Sequence, residues 1–278
     1  TVGAPLRAVA EHRQVLDQRV RGGWHDGKID QPHAYHTVVI VPGGTRGTGR
    51  ALAEGYAAAG AKVGVASRKP EACLETERHL RAMGAQALGV PTHLGELDAL
   101  RMLVERTVDA FGAIDVVVNN AANALALPLG EYTAEAWAKS LDVNLRGPVF
   151  LVQEALPWLK RSPHAAVLNV LTGAAFLFSS TISLYAIGKA GLMAATRAMA
   201  AEFEPHGIRV NALSPGTVDT DMVRSNSAEA QAVMTGIQLM RRMAHPDEMV
   251  GPALMLTSDA GSFITGHVVF ADGGMVPH

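Results

Sequence analysis

Val38-Val-Ile-Val-Pro-Gly-Gly-Thr-Arg-Gly-Thr-Gly49 is the stretch that decides the fold of this chain. The β-branched run Val38 to Val41 reads as a buried strand, and the glycines at 43, 44, 47 and 49 lead into the helix-forming run Arg50 to Ala59. Strand, glycine turn and helix follow one another without a spacer. Glycines in such a turn permit positive φ and let backbone N–H groups approach a pyrophosphate at the helix N-terminus. Gly43, Thr45, Arg46, Gly47, Thr48 and Gly49 are therefore candidates for holding such a group. Pro42 lacks an N–H, so a hydrogen bond that would steady the turn must come from elsewhere or be absent. A merely structural loop is the competing reading of these residues taken alone.

Outward from this turn, strands and helices alternate to the C-terminus. With 278 residues and 48% hydrophobic content the chain can bury one large core. The expectation is a single α/β domain over 37–278, a doubly wound parallel sheet with helices on both faces. Residues 1–36 stay outside the alternation and read as an N-terminal extension, either packed on the domain or a neighbouring subunit or left as a tail. His33-x-x-His36 has no further ligand cluster beside it and reads as linker histidines, so no metal is expected. The net charge of −2 gives no electrostatic footprint for nucleic acid. No apolar run reaches the roughly 18 residues of a membrane span and no signal peptide is visible, so a cytoplasmic protein is expected. Cys73, the only cysteine, falls in a predicted surface helix and reads as an ordinary thiol.

The strand Lys62 to Ala66 runs into Ser67-Arg68-Lys69. In a dinucleotide fold an acidic residue here bonds a ribose 2'-hydroxyl, whereas a basic one accommodates a 2'-phosphate. Arg68, with Arg46 and Ser67, therefore predicts NADP(H) rather than NAD(H); two solvated surface arginines are the alternative. Further along, a helix is predicted over 70–83, a strand over 86–90 and a helix from Glu96 to Phe111 closed by Gly112. The strand Ile114 to Val118 leads to Asn119-Asn120-Ala121-Ala122, and a long helical stretch, Ala134 to Lys160, contains Asn144. After a strand ending at Thr172, Tyr185-Ala-Ile-Gly-Lys189 puts a phenol and an ammonium on one helix face. A positive charge nearby favours phenolate and draws the phenol from about 10 toward neutrality, which makes Tyr185 a usable general acid or base.

The glycine turn, Asn119-Asn120-Ala121, Asn144 and Tyr185-x-x-x-Lys189 occur in the order found in the short-chain dehydrogenase/reductase family, which the chain resembles from about Val38 to its end. The resemblance implies a Rossmann-like fold and hydride transfer between NADP(H) and a carbonyl or secondary alcohol. It implies that Tyr185 exchanges the proton, that Lys189 lowers its pKa and bonds the nicotinamide ribose, and that Asn144 completes a proton relay. The family's substrate-polarising serine stands thirteen positions before the tyrosine, where this chain has Thr172; threonine keeps the hydroxyl but adds a methyl and a stiff χ1. Cofactor contacts are implied for Asn120, Ala121 and Ala122, for His93 and Leu94 where the family often has an aspartate near adenine, and for Pro215, Gly216, Val218 and Thr220 around the carboxamide. Homodimers or homotetramers are the usual assemblies.

Asp221 to Met243 is expected to be a mobile lid whose methionines and aliphatic residues either wall an apolar pocket or pack on their own domain. The favoured activity is a ketone reductase or alcohol dehydrogenase for an apolar or bulky substrate. A catalytically weak NADP(H)-binding regulatory protein and an enoyl reductase are the alternatives.

Overall fold

Seven strands, β1 (Val38–Pro42), β2 (Lys62–Ser67), β3 (Ala87–Pro91), β4 (Val116–Asn119), β5 (Ala166–Val170), β6 (Arg209–Pro215) and β7 (Val268–Ala271), form one parallel sheet in the order 3-2-1-4-5-6-7. The structure is a computed structural model and describes residues 37–178, 180 and 182–277. The extension over 1–36, with His33 and His36, lies outside the described residues.

Parallel strands covered on both faces read as continuous apolar runs, and β1 obeys this: all five of its residues are buried. Ile40 pairs with Gly64 of β2 on one side and Val117 of β4 on the other. Its neighbours Val39 and Val41 face the opposite way, because successive strand side chains alternate. One layer packs Leu52 and Tyr56 of α1 (Gly47–Ala58) and Leu256 of α9 (Val250–Thr257) against Val39, Val41 and Leu168. The other packs Leu100 and Leu103 of α3 (Leu97–Phe111) and Leu151 of α5 (Gly147–Leu159) against Ile40, Val117 and Val167. Each such fully buried aliphatic side chain contributes about 1.5–3 kcal/mol of transfer free energy.

Several local expectations are revised. Helix α1 starts at Gly47 rather than Arg50, so the last two glycines of the turn form its first turn. Cys73 lies on α2 (Pro70–Ala82) but is buried rather than at the surface, because Cys73, Thr76 and Leu80 form the inner stripe of that otherwise polar helix. The stretch from Ala134 is two helices, α4 (Ala134–Leu141) and α5, joined by a π-helical turn, Asp142–Arg146, with Asn144 at its centre. Such turns recur at functional sites. The segment expected to be a lid contains two short helices, α7 (Asp221–Arg224) and α8 (Ala228–Gly236).

A buried polar ladder ties the sheet to the long helix α6 (Ser183–Phe203). Asn119 Nδ2 donates to Asn169 Oδ1, and Asn169 Nδ2 donates to Thr196 Oγ1, both at 2.8 Å. A buried amide left without a partner costs about 1–3 kcal/mol, so this ladder fixes the lateral position of α6 on β4 and β5. Because β1 is followed on one side by β2 and β3 and on the other by β4, the sheet has a topological switch between β1 and β4. A crevice is expected at the carboxyl ends of the strands there.

Candidate active site

A cavity of about 880 Å³ occupies that crevice. Its first wall is main chain. Gly43 N–H donates to the Ala66 carbonyl at 2.7 Å and Gly44 N–H to the Val41 carbonyl at 3.0 Å. Asn120 Nδ2 donates to the carbonyls of Pro42 and Gly43, each at 3.3 Å, and so supplies from β4 the support that Pro42 cannot provide from its own nitrogen. A Cβ on Gly49 would lie 2.1 Å from the Gly43 carbonyl oxygen, so only glycine allows α1 to start this close to β1. Arg46 caps α1 without a side-chain hydrogen bond, and the residues of the first turn, Gly47, Thr48 and Gly49, border the cavity. Unsatisfied N–H groups at a helix N-terminus favour an anion.

At the ends of β2 and β3, Ser67, Arg68, His93 and Leu94 continue the wall. Arg46 and Arg68 are exposed and have no carboxylate partner among the described residues. His93 Nδ1 accepts from Gly95 N–H at 3.1 Å, which aligns its ring with the loop after β3. Thr45, Ala121, Ala122, Pro215, Gly216, Val218 and Thr220 also border the cavity, so it collects every binding residue expected from the sequence.

The reactive groups meet at the end of β5. Thr172 Oγ1 accepts from Ala174 N–H at 3.3 Å, leaving the hydroxyl proton available for donation. Tyr185 is half-buried as a residue, with its phenol enclosed at the cavity wall. Burial pushes that phenol up to about 12, opposed by a hydrogen bond from Thr172. Lys189 is 1% exposed and its Nζ donates to the Val170 carbonyl at 2.6 Å. Burial brings its ammonium down to about 7. The expected drop of the tyrosine toward neutrality is thus not found: the ammonium is directed to a main-chain carbonyl, and desolvation dominates both groups.

Asn144 stands behind the wall rather than in it. It is fully buried; its Oδ1 accepts from Asn123 N–H at 3.2 Å, and its Nδ2 donates to the Asn123 carbonyl at 2.8 Å. A Cβ on Gly188 would come within 2.8 Å of Asn144 Cβ, so a glycine between Tyr185 and Lys189 lets α6 lie directly on the π turn. Asn123 completes the set, its Nδ2 donating to the Lys139 carbonyl at 2.8 Å. It was visible in the sequence as the next asparagine after Asn119-Asn120 but was not singled out.

The lid is anchored through a residue the sequence reading missed. Gln238, 3% exposed, accepts from Thr217 N–H at 2.5 Å through Oε1 and donates to the Arg242 carbonyl at 2.6 Å through Nε2. Thr217 Oγ1 in turn donates to the Met234 carbonyl at 3.0 Å. Met222, Met234 and Ile237 of this segment line the cavity, as does Met275 beyond β7. No cluster of three or more potential metal-ligating side chains occurs among the described residues, and no helix there is long and apolar enough to cross a membrane.

A family profile described as Enoyl-(Acyl carrier protein) reductase matches residues 43–276. The chain is 34% identical over 238 residues to cis-4-hydroxycyclohexanecarboxylate dehydrogenase of Sinomonas cyclohexanicum, covering 85% of this chain and 95% of that relative. Among solved structures, a short-chain type dehydrogenase/reductase from Mycobacterium marinum superposes with a TM-score of 0.82 at 28% identity, covering 86% of this chain and 95% of that one. A blue fluorescent protein from a metagenomic library, in complex with NADPH, superposes with a TM-score of 0.83 at 26% identity, covering 88% of this chain and all (100%) of that one. With its parallel sheet, glycine cradle and Tyr185–Lys189 helix, the chain belongs to the short-chain dehydrogenase/reductase family, whose members are oxidoreductases acting on small molecules.

Proposed function

We propose that this oxidoreductase is an NADP(H)-dependent ketone reductase or alcohol dehydrogenase for apolar or bulky substrates. The observation that carries the proposal is the convergence of the Thr172 and Tyr185 hydroxyls on one cavity whose other end is a main-chain cradle flanked by two arginines without a carboxylate partner among the described residues.

The residues fit such a cofactor. The turn from Gly43 to Gly49 would hold the pyrophosphate, Arg46, Ser67 and Arg68 the 2'-phosphate, and His93 and Leu94 the adenine end. Asn120, Ala121 and Ala122 would border the ribose and Pro215, Gly216, Val218 and Thr220 the carboxamide. When bound, the nicotinamide supplies or accepts a hydride at carbon. The chain then has to orient the substrate, stabilise charge on its oxygen and move one proton. Thr172 donates a hydrogen bond to that oxygen, and Tyr185 protonates it in reduction or deprotonates the alcohol in oxidation. Lys189, protonated, stabilises the phenolate left behind, and Asn144 holds the proton path through Asn123. Leu177, Ile182, Met222, Met234 and Met275 give the substrate end an apolar lining suited to a ring or chain rather than to a polyol. The relative from Sinomonas, named for a hydroxyl on a carbocycle, supports the same substrate type.

An enoyl reductase is the second reading, favoured by the description of the matched profile. The short Tyr185-x-x-x-Lys189 spacing argues against it, since divergent enoyl reductases of the superfamily space this pair more widely. The test is consumption of NADPH and NADH in parallel over a panel of apolar, aromatic and acyl ketones. NADPH should be oxidised in preference to NADH, and Tyr185→Phe should lower turnover by about 10²–10⁴-fold while NADPH still binds. Undiminished turnover in that variant, or indifference to the cofactor, contradicts the proposal.

A further inference from the structure

We propose that the natural substrate is amphipathic: it carries a carboxylate-type anion across an apolar body from the reacting carbon, and Lys139 binds that anion. This rests on the carbonyl-reductase reading above and adds a specificity determinant to the same site.

Most polar groups at the substrate end already have partners. Asn123 is engaged twice, its Nδ2 with the Lys139 carbonyl at 2.8 Å and its Oδ1 with Asn144 Nδ2 at 3.1 Å. Ser225 Oγ and Asn226 Nδ2 both donate to the Met222 carbonyl, at 3.0 and 2.9 Å. Asp221 faces Arg224 at 3.9 Å. Thr172 and Tyr185 are committed to the reacting oxygen. Lys139 borders the cavity from the last turn of α4, and its ammonium has no acceptor among the described residues. The Asn123 bond to its carbonyl holds its backbone against the segment that follows β4.

The cavity is also of one sign. The chain has a net charge of −2, yet the cavity is bordered by Arg46, Arg68, Lys139 and Lys189 against a single acid, Asp221. A cleft lined by one sign concentrates counter-ions within it. Arg46 and Arg68 answer to the 2'-phosphate and Lys189 to the proton chemistry, which leaves Lys139, among the described residues that border the cavity, as the cation without an assigned anion.

The test compares 4-acetylbenzoate with 4-acetylbenzamide, a ketone of nearly the same shape without the charge. Binding is read by calorimetry on protein saturated with NADP+, which cannot reduce the ketone, and turnover by NADPH oxidation, in the unaltered chain, Lys139→Met and Lys139→Arg. The acid should bind about tenfold more tightly than the amide, as expected for a hydrogen bond to a charged group. That contrast should vanish in Lys139→Met, persist in Lys139→Arg and shrink as salt is raised, because the ammonium is exposed. Equal binding of acid and amide, a contrast that survives Lys139→Met, or binding of neither overturns the proposal. Reduction of both ketones without a binding contrast removes Lys139 and leaves the reductase reading standing. A Lys139-dependent binding contrast without reduction of either ketone upholds the anion site and removes the reductase reading.

Discussion

The two ends of the cavity are made of different material. At the cofactor end the wall is backbone, held by bonds such as Gly43 to Ala66 and by the Asn120 side chain bridging to Pro42 and Gly43. At the substrate end the wall is side chains from three separated segments: Leu177 and Ile182 after β5, Met234 and Ile237 in the lid, and Met275 after β7. A backbone wall fixes one ligand geometry and tolerates little change. A side-chain wall, rich in methionine, can be recut without disturbing the sheet.

Four measurements would break or sharpen this contrast. The largest effect is expected at the two arginines. Replacing Arg46 and Arg68 with alanine should weaken NADPH by about 10²–10⁴-fold, given about 1.5–3 kcal/mol for each charge-assisted bond, with little change for NADH in a titration of both. Equal loss for both cofactors would show that these side chains do not read a phosphate.

Next comes Gly49→Ala. The new methyl meets the Gly43 carbonyl at 2.1 Å and Asn120 Nδ2 at 2.3 Å. The turn must shift, at a cost of about 1–3 kcal/mol in stability and up to about 100-fold in NADPH affinity, read by thermal unfolding and titration. A change of similar size at the other end, such as Met234→Leu, should leave cofactor affinity untouched; if both act alike, the two ends are not distinct.

Lys189 gives a pH signature. Its folded pKa, about 7, lies below the unfolded value of 10.5, so between these limits the unfolded chain binds more protons than the folded one. Stability should therefore rise with pH across that window, by up to about 1.4 kcal/mol per unit, and Lys189→Met should remove the slope. Tyr185 acts in the opposite sense: its folded pKa is raised from 10.0 to about 12, so its contribution is complete below pH 10 and is lost as pH rises toward 12. An identical pH profile for parent and Lys189→Met would contradict a desolvated lysine.

The smallest effect is expected for Gln238→Ala. It leaves Thr217 N–H and the Arg242 carbonyl without their partner, about 1 kcal/mol or somewhat more. Its mark should be a raised KM for the ketone and earlier proteolysis within the lid, with NADPH binding nearly unchanged. Loss of NADPH binding instead would mean that the lid anchor belongs to the cofactor end.

The same contrast explains what could be read from the chain without its structure. Val38 to Gly49 was legible because a β-branched run and a glycine turn dictate backbone whatever packs around them. Tyr185 and Lys189 were legible as helix-face neighbours by spacing, and Thr172 only through the family resemblance, which sets a hydroxyl thirteen positions before the tyrosine. Spacing did not tell where the ammonium points, and the carbonyl of Val170, nineteen residues earlier, accepts its hydrogen bond. The π turn at Asp142–Arg146 was hidden because five residues are too few to show a period of their own in the sequence. Gln238 and Met275 were silent because their partners, Thr217 and Gly173, are brought to them only by the folded sheet. The burial of Cys73 was available, since Cys73, Thr76 and Leu80 follow helical spacing, but a polar helix drew attention to its outer face.

The most direct test of hydride delivery to a carbonyl carbon uses NADPH deuterated at C4 of the nicotinamide and 2-cyclohexenone, which offers both a carbonyl and a conjugated double bond. The expected product is the allylic alcohol with one deuterium on the carbinol carbon, located by NMR and mass spectrometry. A saturated ketone with deuterium on its β-carbon, the product of enoyl reduction, would contradict the assignment of Thr172 and Tyr185 to a ketone oxygen.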